Sequence, residues 1–154
     1  MALDDDIALL ARQPLLSLIE RDALRLVAFA AESRTLRAGD VLFRRGEASD
    51  GALLIVSGAV ALLGADEGRP AEEILGPGAL LGEIALFTAV ERPVTAIARE
   101  PTQVMRLSRS VMRRVLGESP QSAQALATAL GERLRGFSGE LARVRRSLLA
   151  IDRR

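Results

Sequence analysis

The sequence predicts a mainly β fold, a barrel or jelly roll with helices at both ends. Three observations carry this. Between Glu32 and Leu107, seven or eight short runs of β-favouring residues alternate with glycine-containing turns. The turns recur about every eight to twelve residues, the spacing of sandwiches and barrels. No long helical stretch lies between the runs, which excludes a parallel α/β sheet.

Helical periodicity opens the chain. Leu3, Ile7 and Leu10 recur at helical spacing and predict a helix over Asp4 to Arg12. Pro14 separates it from a second segment whose apolar face runs through Leu15, Leu18, Ile19, Leu24, Val27 and Phe29, with Asp22 as its cap. From Glu32 the predicted strands are Ser33 to Arg37, Val41 to Arg44, Ala52 to Val56, Val60 to Leu63, Ala71 to Leu75, Val94 to Ala98 and Gln103 to Leu107. Gly39-Asp40, Gly46, Gly58, Asp66 to Pro70 and Gly76-Pro77-Gly78 supply turns. Phe29, Phe43 and Phe87 are expected in the core. Ser108 predicts an N-cap for a helix over Arg109 to Leu116, ended by Gly117. Pro120 suits the first turn of a longer helix. Along that helix Leu130, Leu134, Phe137, Leu141, Val144, Leu148 and Ile151 fall at alternating spacings of four and three, an a/d seam. The seam predicts a homodimer through the C-terminal helix, with packing onto the chain's own roll as the alternative. Gly131, Gly136 and Gly139 weaken the helix and mark a place for a bend.

At 154 residues the length fits one domain. Within it, residues 1–31 form a helical segment, 32–107 the β core and 108–154 the C-terminal helices. Histidine, cysteine and lysine are absent. Their absence removes disulfides, zinc sites of the Cys/His type, and serine–histidine or cysteine nucleophiles. No acidic cluster has calcium-loop spacing, so neither an enzyme nor a cofactor or metal is expected. No apolar run is long enough to span a bilayer, and the acidic start from Met1 to Asp6 lacks a secretory pattern. No membrane association and a cytoplasmic location are the expectation. Charge is uneven: residues 1–100 hold 10 Arg and 16 acidic residues, while residues 101–154 hold 11 Arg and 4. The basic half reads as a solvated helix face, with a nucleic-acid patch as the less favoured alternative.

The informative stretch runs from Gly76 to Thr95. Glycines precede a short apolar helical turn, Glu83 to Phe87, whose opening amides and dipole form an anion site. Arg92 lies nine residues after Glu83, a spacing that returns its guanidinium over the same amides. Glu83 repels an anion and suits a sugar hydroxyl instead.

Here the sequence resembles the cyclic nucleotide-binding domain family, the module of catabolite-activator-like regulators, kinase regulatory subunits and gated channels. Gly82-Glu83-Ile84-Ala85-Leu86, then Arg92 and Thr95, resemble its Gly-Glu-Leu-Ala-Leu…Arg-Ala-Ala-Thr phosphate-binding cassette. Gly39-Asp40-Val41-Leu42-Phe43-Arg44-Arg45-Gly46-Glu47 resembles its double turn, and Leu54 to Gly58 the strand that follows. The resemblance implies a double-stranded β-helix, or β-roll, with cyclic AMP or cyclic GMP as ligand. It places the ribose on Glu83 and the phosphate on the Ala85 amide and Arg92, with Gly82, Ile84, Pro93 and Thr95 around them. Residues from Leu126 to Phe137 would cap the base. Pro93 departs from the pattern: a backbone N–H that the cassette lends to the phosphate is missing there. Leu81 stands where an aromatic residue is common. With 17 residues after Phe137, a DNA-binding output is not expected, and the signal would pass to an effector protein. Two readings stay open: a regulatory sensor that signals through its C-terminal helices, and a degenerate, ligand-free roll acting as a dimeric protein-interaction module.

Overall fold

The computed structural model describes residues 2–64 and 72–132. Helix α1 (Ala2–Ala11), a 3-10 turn (Leu16–Leu18) and helix α2 (Arg21–Phe29) precede eight strands. These are β1 (Glu32–Leu36), β2 (Val41–Phe43), β3 (Gly51–Ser57), β4 (Val60–Leu63), β5 (Glu72–Leu75), β6 (Leu80–Leu81), β7 (Thr95–Ala98) and β8 (Thr102–Ser108). A second 3-10 turn (Glu83–Leu86) lies between β6 and β7. Helix α3 (Arg109–Gly117) and helix α4, residues 120–132, follow. The strands form two antiparallel sheets, ordered β1-β8-β3-β6 and β2-β7-β4-β5. This is the expected β-roll with flanking helices.

Strand alternation decides where the two cores lie. In β3, Leu53 and Ile55 face the space between the sheets, where they meet Leu36, Phe43, Val60, Leu81, Ala96, Ala98 and Val104. Ala52 and Leu54 face the opposite side with Met105 and Leu107, and the helices cover them. Ile7 and Leu10 of α1, Leu24 and Val27 of α2, Met112 and Val115 of α3, and Leu126 of α4 fill that outer core. A strand buried on both faces reads as a continuous apolar run, which is why residues 51–56 lack visible alternation. Among the described residues no helix is long and apolar enough to cross a membrane.

Local signals place most boundaries. The Ser108 hydroxyl accepts the Val111 N–H at 3.3 Å and caps α3 as expected. Gly58 turns β3 into β4 with φ +95°, and an added Cβ would press on the Thr102 hydroxyl and lie 2.6 Å from the Pro101 carbonyl.

Four expectations need correction. Phe29 is 78% exposed rather than core, because the buried face of α2 is Ala23, Leu24, Val27 and Ala28 and Phe29 falls off it. Asp22 lies in the first turn of α2, and Glu20 holds the cap position with no side-chain bond; its N–H donates to the Ser122 hydroxyl at 2.9 Å. The α3 helix continues through Gly117 to a cap at Glu118. Strand β6 was not expected; two leucines beside a glycine-rich turn carry too little pattern to reveal it. The turn at 66–70 and the seam from Leu134 to Ile151, with Gly136 and Gly139, lie outside the described residues.

Replacing Gly58 by alanine is expected to cost about 2 kcal/mol or more, from left-handed backbone strain plus the overlap with β8. Gly76→Ala, which meets nothing within 4 Å, is expected to stay within about 0.5 kcal/mol of the parent. Urea unfolding of the two variants checks the difference; equal midpoints would contradict it.

Candidate functional site

The second 3-10 turn is anchored by Ala85 and Leu86, each 1% exposed, while Ile84 points outward. Gly82 precedes the turn with φ +80° and ψ +42°, a left-handed conformation that suits glycine. Its lack of a side chain has a second use: a Cβ there would sit 2.6 Å from Nη1 of Arg92. Gly82 therefore leaves room for the guanidinium. The Ala85 N–H, expected to face a ligand, donates to the Gly82 carbonyl at 2.9 Å. The amides left at the opening of the turn are those of Glu83 and Ile84.

Arg92 is 7% exposed, an uncommon state for a permanent cation. Its main chain is pinned: the N–H donates to the Glu47 carbonyl, and its carbonyl accepts the Gly46 N–H, both at 2.8 Å. Its Nη2 donates to the Gly51 carbonyl at 2.8 Å. The guanidinium carbon lies 4.5 Å from the centroid of the Phe43 ring, a cation–π contact. Burial pulls the Arg92 pKa below its usual value; nearby Glu47 raises it, and Arg109 lowers it further.

This guanidinium stands between two cavities. One, of about 280 Å³, is lined by Phe43, Leu62, Leu75, Leu81, Pro93 and Val94 with Arg92 and Gly82 at its edge. Apart from Arg92 its lining is apolar. The other, of about 360 Å³, opens toward β1 and β8, where Arg34, Glu47, Asp50 and Arg106 meet Arg92. Arg106 is held there by ion pairs with Glu32 at 3.3 Å and with Asp50.

The remaining expected site residues are dispersed. The Glu83 carboxylate accepts the Leu15 N–H through Oε2 at 3.2 Å. Beside it, Gln13 donates to the Gly78 carbonyl at 2.8 Å, so the segment after α1 lies against the cassette. The Thr95 hydroxyl accepts the Arg45 N–H at 3.0 Å and fixes the β2 turn. Leu126 and Leu130 of α4 line a separate groove of about 230 Å³ against Leu86, Phe87 and Leu116, outside the Arg92 cavities. Residues 133–137 of the expected cap lie outside the described residues.

Sequence reasoning missed Arg109. Its Nη1 donates to the carbonyls of Ala85 at 3.1 Å and Thr88 at 2.9 Å, and its Nη2 to that of Ser49 at 2.8 Å. A signal was present: a cation in the first turn of a helix opposes the helix dipole, so arginine there needs another employment.

A family model described as cyclic nucleotide-binding domain matches residues 33–119. The chain is 34% identical over 114 residues to the cyclic AMP receptor protein of Thermus thermophilus, covering 71% of this chain and 52% of that protein. It is 30% identical over 125 residues to a cyclic nucleotide-gated potassium channel of Mesorhizobium japonicum, covering 81% and 34%. The chain thus spans between a third and about half the length of these curated relatives. Among solved structures, a cyclic nucleotide-binding-like protein from Brucella abortus superposes with TM-score 0.68 and 42% identity, over 74% of this chain and 99% of that one.

If Arg92 is held for a ligand rather than for the fold, Arg92→Met is expected to leave the ligand-free protein as stable or up to about 2 kcal/mol more stable, because an under-partnered buried cation is replaced by a side chain of similar length. Denaturant unfolding measures this. A loss above about 2 kcal/mol would make the guanidinium a structural group.

Proposed function

The chain belongs to the cyclic nucleotide-binding domain family, and from that membership we propose that it is a regulatory module that binds cyclic AMP or cyclic GMP at Arg92. The observation that carries this reading is a guanidinium buried to 7% exposure with one hydrogen bond among the described residues, bordering a cavity of about 280 Å³. The volume approaches the range of about 300–1,000 Å³ usual for small-molecule pockets. The free Arg92 donors, with the amides of Glu83 and Ile84, receive the cyclic phosphate. The second carboxylate oxygen of Glu83, not used by Leu15, accepts a ribose hydroxyl. The apolar lining takes the sugar carbons and one face of the base. Gly82 and Pro93, which line the cavity, are contact residues, and Ala85 supports the turn from behind; Ile84 and Thr95 are not among the lining residues. The C-terminal helices, paired between two copies, carry the response to an effector protein.

Pro93 sets the affinity. One charge-assisted hydrogen bond contributes about 1.5–3 kcal/mol, or roughly ten- to a hundredfold in Kd. Binding is therefore weaker than at a site with all its donors.

One observation favours the ligand-free alternative. Arg92, Glu83 and the Ala85 amide each have a partner within the protein. Calorimetric titration with millimolar cyclic AMP and cyclic GMP separates the readings. The sensor reading expects heat with at least one nucleotide, its loss in Arg92→Ala, and a gain of about tenfold or more in Pro93→Ala. No heat with either nucleotide would leave the interaction module as the better reading.

A further inference from the structure

Arg109 joins three parts of the molecule. It is the first residue of α3, and its own N–H donates to the Asp50 carbonyl at 2.8 Å. One branch of its guanidinium holds the carbonyls of Ala85 and Thr88, which belong to the cassette turn and the residues after it. The other branch holds the carbonyl of Ser49, in the loop between β2 and β3. That same loop carries the pocket arginine, since the Glu47 carbonyl accepts the Arg92 N–H at 2.8 Å and the Ser49 N–H donates to the Val90 carbonyl at 3.1 Å.

The contacts form a short continuous path. Nη1 of Arg92 fills the space that a side chain at Gly82 would take, and the Gly82 carbonyl accepts the Ala85 N–H. The Ala85 carbonyl in turn accepts Arg109, from which α3 starts. The path runs through main-chain groups of a single 3-10 turn. The rest of α3 is fastened differently, by Met112 and Val115 in the outer core.

We propose that Arg109 is the positioning residue that couples the cassette turn to α3, a guanidinium fork through which a shift of the turn at the Arg92 pocket moves the start of the helix. The proposal rests on the ligand reading of that pocket. It also explains the residue type. A fork donates in two directions at once, and a lysine ammonium is a point charge that cannot reproduce the fork's geometry. Contiguity alone does not establish coupling, so the test must read both ends of the path.

Hydrogen–deuterium exchange on the full chain reads segments 83–90 and 109–117 together. The parent, Arg109→Gln, Arg109→Lys and Arg113→Gln are compared with and without cyclic nucleotide. Arg113 is an exposed arginine one turn along the same helix and serves as the control. Without nucleotide, Arg109→Gln is expected to speed exchange about tenfold in both segments, and Arg113→Gln in neither. With saturating nucleotide, the parent changes protection in both segments. Arg109→Gln still binds and still responds at 83–90, but not at 109–117. Arg109→Lys keeps the charge and recovers the parent's melting temperature without recovering the response of α3.

An α3 response in Arg109→Gln equal to the parent's would overturn the proposal. So would ligand-free loosening confined to α3, or no loosening. If the parent binds no nucleotide, the ligand reading fails by itself. The ligand-free comparison then decides the fork: joint loosening of both segments supports it, and anything else ends it.

Discussion

A guanidinium removed from water inside a β-roll is the constraint around which this molecule is arranged. Desolvating a permanent cation costs several kcal/mol even after relaxation. Arg92 recovers part of this from the Gly51 carbonyl, the face of Phe43 and the nearby Glu47 charge. The surroundings are shaped accordingly. Gly82 has no side chain because the guanidinium occupies that space, and the loop 46–49 holds the arginine main chain at two points and that of Val90 at a third. The sheets fill the rest of the interior with leucine, isoleucine, valine and alanine, and leave cavities on both sides of the charge.

On the ligand reading, a nucleotide meets groups that already hold protein partners. Arg92 gives its Nη2 to Gly51, Glu83 gives one oxygen to Leu15, and Ala85 closes the turn on Gly82. The phosphate takes the remaining Arg92 donors and the ribose the second Glu83 oxygen, beside the bonds these groups already make. The protein partners of these groups are not local. Leu15 lies 68 positions from Glu83 and Gly51 lies 41 from Arg92. On the ligand reading, occupancy of one pocket is thereby felt in the N-terminal segment and at the start of β3.

Much of the fold was legible in the sequence because its turns are chemically marked. Glycines at 39, 46, 58, 78 and 82 all adopt positive φ, and the strands lie between them. Ser108 announced α3, and Leu3, Ile7 and Leu10 announced α1 through a period that burial alone creates. The cassette was legible as a motif, and the Arg92–Gly82 approach follows its spacing. Other features were hidden for physical reasons. Phe29 follows an apolar run but falls off the α2 face formed by Ala23, Leu24, Val27 and Ala28, and residue type alone does not record which face is covered. The bond between Glu83 and Leu15 needs the N-terminal segment folded over the cassette. Arg109 reads as one more surface arginine in a basic stretch; its place in the first turn of α3 signals a partner, but its three acceptors are backbone carbonyls that no residue type identifies.

The most direct test of the account is a crystal structure of the chain grown with saturating cyclic nucleotide, read at one side chain. The account predicts an equatorial phosphate oxygen within about 2.7–2.9 Å of an Arg92 guanidinium nitrogen. A nucleotide bound elsewhere, or an empty pocket with Arg92 unchanged on the Gly51 carbonyl, would contradict it.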